Sequence, residues 1–187
     1  MARKILFQTL RDKNNPNEVR QHGPFICESE NAWLGHGYYF WDTFKHLPHW
    51  WGETWIKGDY IVCKAECDFD TNICFDLYGD TEHQDLFGAI LDVMRDEGLV
   101  DEETTVSDVI YHLEQKLGIF HWRAIRVAGV HTIAPHIAQG KYTFRLIFDP
   151  NLRAFLEYKP AVQICLFDKN GMGLKEYDII FPDKYVA

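Results

Sequence analysis

The residues best suited to holding a small molecule lie in one stretch, Trp33-Leu34-Gly35-His36-Gly37-Tyr38-Tyr39-Phe40-Trp41-Asp42, continued by His46, His49, Trp50 and Trp51. Glycines on either side of a histidine let the backbone approach a ligand closely or take a positive φ. The aromatics that follow supply flat apolar faces, two of which can enclose a planar ring. The competing interpretation is a tight turn that leads into an aromatic core strand, and periodicity alone does not separate the two.

Other chemistry-bearing residues are less organised. Among nine histidines, His36, His46 and His49 are spaced by ten and three residues, and His131 and His136 flank Pro135. Neither set matches a metal-ligand pattern, so surface or capping roles are expected and no metal is. The chain has no phosphate-binding P-loop. Gly35-His36-Gly37 precedes a strand instead of opening a helix after one, which is the wrong context for a Rossmann fingerprint. No serine sits in a nucleophile elbow. The five cysteines include no Cys-x-x-Cys pair, and Cys27 has no neighbour that would activate it, so a disulfide framework and a zinc knuckle are not expected. Trp122, Arg123 and Arg126 read as the solvated face of a strand, because the formal net charge of −9 argues against non-specific binding to nucleic-acid phosphates.

The elements that must position these residues are legible from patterning. A chain of 187 residues with 47% hydrophobic and 25% charged residues suits one globular domain, taken here as 1–187. Met1–Leu10 lacks the apolar core of a secretory signal and no stretch approaches a membrane span, so a cytoplasmic protein without membrane contact is expected. Strands are expected over 4–10, 37–41, 59–67, 72–77, 121–128, 142–148, 162–168 and 176–181. In 59–67, Ile61, Cys63, Ala65 and Cys67 fall on one face and Tyr60, Lys64 and Glu66 on the other, the pattern of a half-buried strand. Helices are expected from Leu47 to Lys57, from a capping box at Thr81-Glu82-His83-Gln84 to Gly98, and from a second box at Thr105-Val106-Ser107-Asp108 to Gly118. Residues 18–34 read as a long loop with a turn at Gly23-Pro24. The order is that of a mostly antiparallel α+β fold and not of a βαβ alternation.

Gly35-His36-Gly37-Tyr38-Tyr39-Phe40 resembles the Gly-x-Gly-(aliphatic)-Tyr-Phe strand of ADP-ribosyltransferases of the diphtheria-toxin and poly(ADP-ribose) polymerase type. The extended motif through Trp33 and Trp41, with Cys74-Phe75-Asp76-Leu77 and Gln163-Ile164-Cys165 downstream, is similar to uncharacterised bacterial members with a degenerate catalytic triad. The resemblance spans about 5–80 and 160–181 and implies a split, mostly antiparallel pair of sheets with a helical insertion at about 81–118. It implies NAD as substrate, with Tyr39 stacked on the nicotinamide and Trp50, eleven residues on, closing the slot. Thr9, Gly37 and Phe40 would complete the NAD contacts, and the acceptor of ADP-ribose would be a protein or a nucleic acid.

Two positions depart from the family's pattern. The first strand carries Gln8 where a histidine is usual, with His22 in the following loop as the alternative, and the late strand carries Gln163 in place of the catalytic glutamate. Cleavage of the nicotinamide–ribose bond builds positive charge on the ribose, which a buried carboxylate stabilises and an amide does not. The implied machinery is therefore Tyr39, Gln163 and Gln8, supporting ADP-ribose transfer or slow NAD hydrolysis, or else an inactive nucleotide- or protein-binding module on the same fold. Glu157 or Glu66 could supply the carboxylate from a shifted register.

Overall fold

The computed structural model describes residues 2–30, 32–129, 145–149, 151 and 154–186. The N-terminal strand β1 (Ala2–Arg11) and a short helix α1 (Pro16–His22) precede β2 (Tyr38–Asp42). Helix α2 (His46–Trp51) runs on into a π-helical turn, Gly52–Ile56, which leads to β3 (Tyr60–Phe69) and β4 (Cys74–Asp76). Two helices, α3 (Thr81–Asp96) and α4 (Val106–Tyr111), the second extended by a π-helical turn over His112–Lys116, separate β4 from β5 (Ala124–Ala128). The chain then forms β6 (Arg145–Ile147), β7 (Phe155–Glu157), β8 (Val162–Leu166) and β9 (Lys175–Phe181).

Seven strands make one sheet in the order β4-β5-β8-β2-β1-β3-β9, and β6 and β7 pair separately. Only β4 and β5 run parallel. This is an α+β protein with a mostly antiparallel sheet, as the patterning predicts. His131, Pro135, His136 and residues 142–144 of one expected strand lie outside the described residues.

The centre of the sheet is buried on both faces. Leu6, Phe40, Ala65, Cys67, Ile164 and Leu166 pack on one side, and Phe7, Trp41, Leu47, Trp50 and Val62 pack under α2 on the other. That second layer corrects the half-buried reading of β3. Its Ile61–Cys67 face is sealed, yet Val62 is also 0% exposed, packed with Leu47 and Trp50 of α2, and Glu66, paired with Arg3 and Lys64, is only 8% exposed.

Two local expectations also shift. The 18–34 loop begins with α1, which starts on Pro16, a residue whose fixed φ suits a first helical turn. Only Val19 of that helix is buried, so it carries no apolar periodicity to reveal it. Helix α3 is capped by Asp80, which accepts from the backbone N–H groups of Glu82 and His83, so the box expected at Thr81 begins one residue early. The Thr105–Asp108 box forms as expected. Among the described residues, no helix is long and apolar enough to cross a membrane.

A buried ionic cluster ties four strands together. Arg126 of β5 donates through Nε to Asp42 of β2 at 2.8 Å and through Nη1 to Asp76 of β4 at 2.9 Å. Lys4 of β1 completes the group at 3.0 Å from Asp42. Burial alone would raise the Asp42 carboxyl, but the Thr43 hydroxyl, Lys4 and Arg126 outweigh it and hold the carboxyl below the usual range.

Candidate functional site

Strands β1 and β2 pair over only two positions, Leu6 with Asp42 and Phe7 with Trp41. Continued register would bring Gln8 opposite Phe40 and Thr9 opposite Tyr39; instead the strands part there. A cavity of about 540 Å³ opens in the gap, lined by Gln8, Thr9 and Leu10 from one strand and Tyr39, Phe40 and Trp41 from the other, with Gln163 reaching in from β8.

The segment after α1 wedges the strands open. Phe25 donates its N–H to Gln8 Oε1 at 3.1 Å and accepts from Gln8 Nε2 at 2.9 Å, so the glutamine side chain pairs like a strand residue. Two residues on, Cys27 exchanges backbone hydrogen bonds with Gly37 at 2.8 and 3.2 Å. This short run thus bridges the two diverging strands, and Phe25, Ile26 and Cys27 become a wall of the cavity.

Gln163, Tyr39 and Trp41 share one sheet face, since Trp41 pairs with Gln163 and Tyr39 with Cys165. Gln8 alternates to the other face, with Leu6 and Phe40. The cleft brings the two glutamines together only because the strands separate.

The polar contacts limit what each predicted residue does. Gln8, 5% exposed, uses Oε1 for Phe25 and for the Tyr177 hydroxyl at 2.8 Å, and one Nε2 N–H for Phe25. One N–H of that amide is left over. The Thr9 hydroxyl donates to the Pro48 carbonyl at 3.0 Å, so it anchors α2. The Tyr39 hydroxyl accepts from Leu34 N at 2.9 Å and donates to Gly35 O at 2.7 Å. This clamps a turn in which Gly35 takes φ +88°, a conformation that favours glycine. Burial, reinforced by the neighbouring Cys165, drives the Tyr39 phenol far up, so it stays neutral and offers the ligand a ring face and not a proton.

Two predicted contacts are not at the cavity. Trp50 is only 2% exposed and packs edge-on against Trp41 at 5.9 Å in the core beneath α2. Its neighbour Trp51 and Trp55, four residues further on, line the cleft and stack at 5.5 Å with planes 28° apart. One helical step rotates a side chain by roughly 100°, and a spacing of four returns to the same face. Gly37 serves packing: its backbone holds Cys27, and a side chain there would run into Cys165 Sγ.

Among the described residues, no Asp, Glu, His, Lys or Arg lines the cavity. Glu66 is engaged by Arg3 and Lys64 on β1 and β3, and Glu157 lines a different cavity with Lys4, Asp42 and Arg126. His22 ends α1 and is not in the lining. Among the described residues, no three His, Cys, Asp or Glu side chains are grouped to hold a metal. Trp33 and Trp51 belong to the aromatic stretch singled out from the sequence but were assigned no contact there, and Trp55 and Phe25 were missed. The Trp51–Trp55 spacing was a readable signal, whereas Phe25 carried none. No protein-family model, no curated protein and no solved structure matches the chain.

Proposed function

We propose that this cleft is an NAD site and that the domain is of the ADP-ribosyltransferase type, its parted β1 and β2 corresponding to that family's split sheets. The observation that carries the reading is convergence. Gln8, Thr9, Tyr39, Phe40 and Gln163, chosen from three separated stretches, border one cavity whose volume of about 540 Å³ is that of a small-molecule site. Tyr39 offers one aromatic face to the nicotinamide ring. Trp51 and Trp55 take the place assigned to Trp50.

The neutrality of the lining favours holding NAD over cleaving it. The described lining holds no carboxylate to face the oxocarbenium-like ribose of the cleavage step, and loss of one such electrostatic partner typically costs about 10²–10³ in rate. ADP-ribose transfer to a protein or nucleic-acid acceptor, or NAD hydrolysis, would therefore be slow. The second reading, a nucleotide-binding module on the same fold that does no chemistry, rests on this same observation.

Calorimetric titration with NAD, paired with mass spectrometry for free nicotinamide, tests both. Saturable binding that Tyr39→Ala weakens about tenfold or more supports the site, an effect in the range of roughly 1–3 kcal/mol that a stacked base contributes. Release of nicotinamide by the wild type, abolished in Tyr39→Ala, would favour the enzyme. Absence of binding at millimolar NAD by folded protein would remove the NAD reading altogether.

A further inference from the structure

The orientation of the Gln163 amide is fixed by chemistry. The Trp33 indole N–H can only donate, and it meets Gln163 at 3.0 Å. The atom it touches must therefore be the carbonyl oxygen Oε1, which leaves Nε2 with two N–H groups and no partner among the described residues. Gln163 is 7% exposed and borders the cavity, so these donors belong to a side chain beside a space that a ligand can fill. Gln8 repeats the pattern from the opposite sheet face: the Phe25 N–H and the Tyr177 hydroxyl, both donors, claim its Oε1 and leave an Nε2 N–H spare.

Trp33 is itself held in place. Its ring sits against Gly129, where any side chain would collide with it, and its backbone bridges Gly35 within the turn that the Tyr39 hydroxyl clamps. The indole cannot swing away to free Oε1 without disturbing that turn.

We propose that Trp33 is a positioning residue that polarises the cleft. By occupying Gln163 Oε1 it aims the amide donors inward, so the site selects a planar ring bearing a carbonyl oxygen on its edge, as nicotinamide and several nucleobases do. The proposal rests on the assignment of this cleft as a nucleotide site and adds the chemical feature that the cleft selects. Aromatic walls accept the ring without regard to its edge groups; the two amides read the edge.

The test is a calorimetric comparison of two neutral probes of similar size, 3-acetylpyridine, which only accepts, and 3-aminopyridine, which donates at that edge, at about pH 8. The wild type is expected to bind the acetyl compound about tenfold more tightly, the upper end of what one neutral hydrogen bond contributes. Trp33→Phe releases Oε1, lets the amide turn over, and brings the ratio towards one. Gln163→Leu, a second variant should the first fail to fold, abolishes the preference by removing the donors. A wild-type ratio near one, or a ratio unchanged in folded Trp33→Phe, overturns the proposal. NAD binding with a ratio of one removes this inference and leaves the NAD reading intact. The expected ratio without NAD binding does the reverse, and no binding of any probe at millimolar concentration removes both.

Discussion

The sheet buries polar side chains in two places, and they are built on opposite rules. In the Lys4–Asp42–Arg126–Asp76 cluster, formal charges of both signs lie within 3.0 Å of their partners, and Asp76 also accepts from the backbone N–H groups of Tyr78 and Gly79. In the cleft between β1 and β2 no described lining residue carries a formal charge, and the two glutamines keep N–H groups that no described residue uses. A charged cluster with its partners in place is committed to holding β1, β2, β4 and β5 together. Neutral groups with donor capacity left over are what a ligand completes. Spare hydrogen-bonding capacity in a cavity, more than polarity as such, distinguishes the site from the scaffold.

The largest effect is expected from breaking the committed cluster. Arg126→Ala leaves Asp42 with Lys4 as its one remaining cation among the described residues and Asp76 with none, their side chains being 3% and 4% exposed, and removal of one partner from a buried pair costs about 3–5 kcal/mol. Urea unfolding measures it, and a loss below about 1 kcal/mol would mean that water replaces the guanidinium at little cost. Gln163→Leu, at the other pole of the comparison, changes ligand preference far more than stability.

Next is the contrast between a buried and an exposed tryptophan, Trp50 and Trp55. Trp50→Ala removes a core side chain and lowers stability by about 3–5 kcal/mol. Trp55, 54% exposed, stacks at the cleft, so Trp55→Ala leaves the unfolding midpoint nearly unchanged and weakens NAD binding by about tenfold. Equal loss of affinity in both variants, with the Trp50 variant fully folded, would return Trp50 to the site.

The smallest effect is with pH, and it separates the two regions again. Burial holds the His46 imidazole down at about 4 from an ordinary 6.5, with Lys159 adding to the shift. The unfolded chain therefore takes up a proton that the folded chain refuses, and stability declines as pH falls from 6.5 towards 4. The depressed Asp42 carboxyl adds its own loss only below its ordinary value of 3.8, as pH falls through its folded value. No carboxylate or histidine among the described residues lines the cleft, so NAD affinity measured on folded protein should stay flat between about pH 5 and 8. A steep change over that range would place a titrating group in the site.

Much of this was written in local pattern. Alternation and capping signals placed β1, β2, β3, β8 and β9 and the two helices between β4 and β5 near their observed positions, because strand and helix periods are properties of consecutive side chains. The glycine-aromatic motif located the cleft for the same reason: Tyr39 and Phe40 sit on a strand whose entry turn requires Gly35. Helix α1 escaped notice because it buries a single residue. Trp50 was mistaken for Trp51 because a spacing of eleven says nothing about which side of a helix faces a gap.

What the sequence alone determined, then, was the order of elements and a stretch that lines the cleft. The tertiary structure decided what that stretch does. The parting of β1 from β2 turns alternating faces into two sides of one cavity, and it depends on Phe25 and Cys27 inserting between strands distant from them in the chain. The polarity of the slot depends on a hydrogen bond between Trp33 and Gln163, 130 residues apart. Such long-range pairings leave no periodic trace, since each is fixed by how the strands meet and not by which residues follow one another.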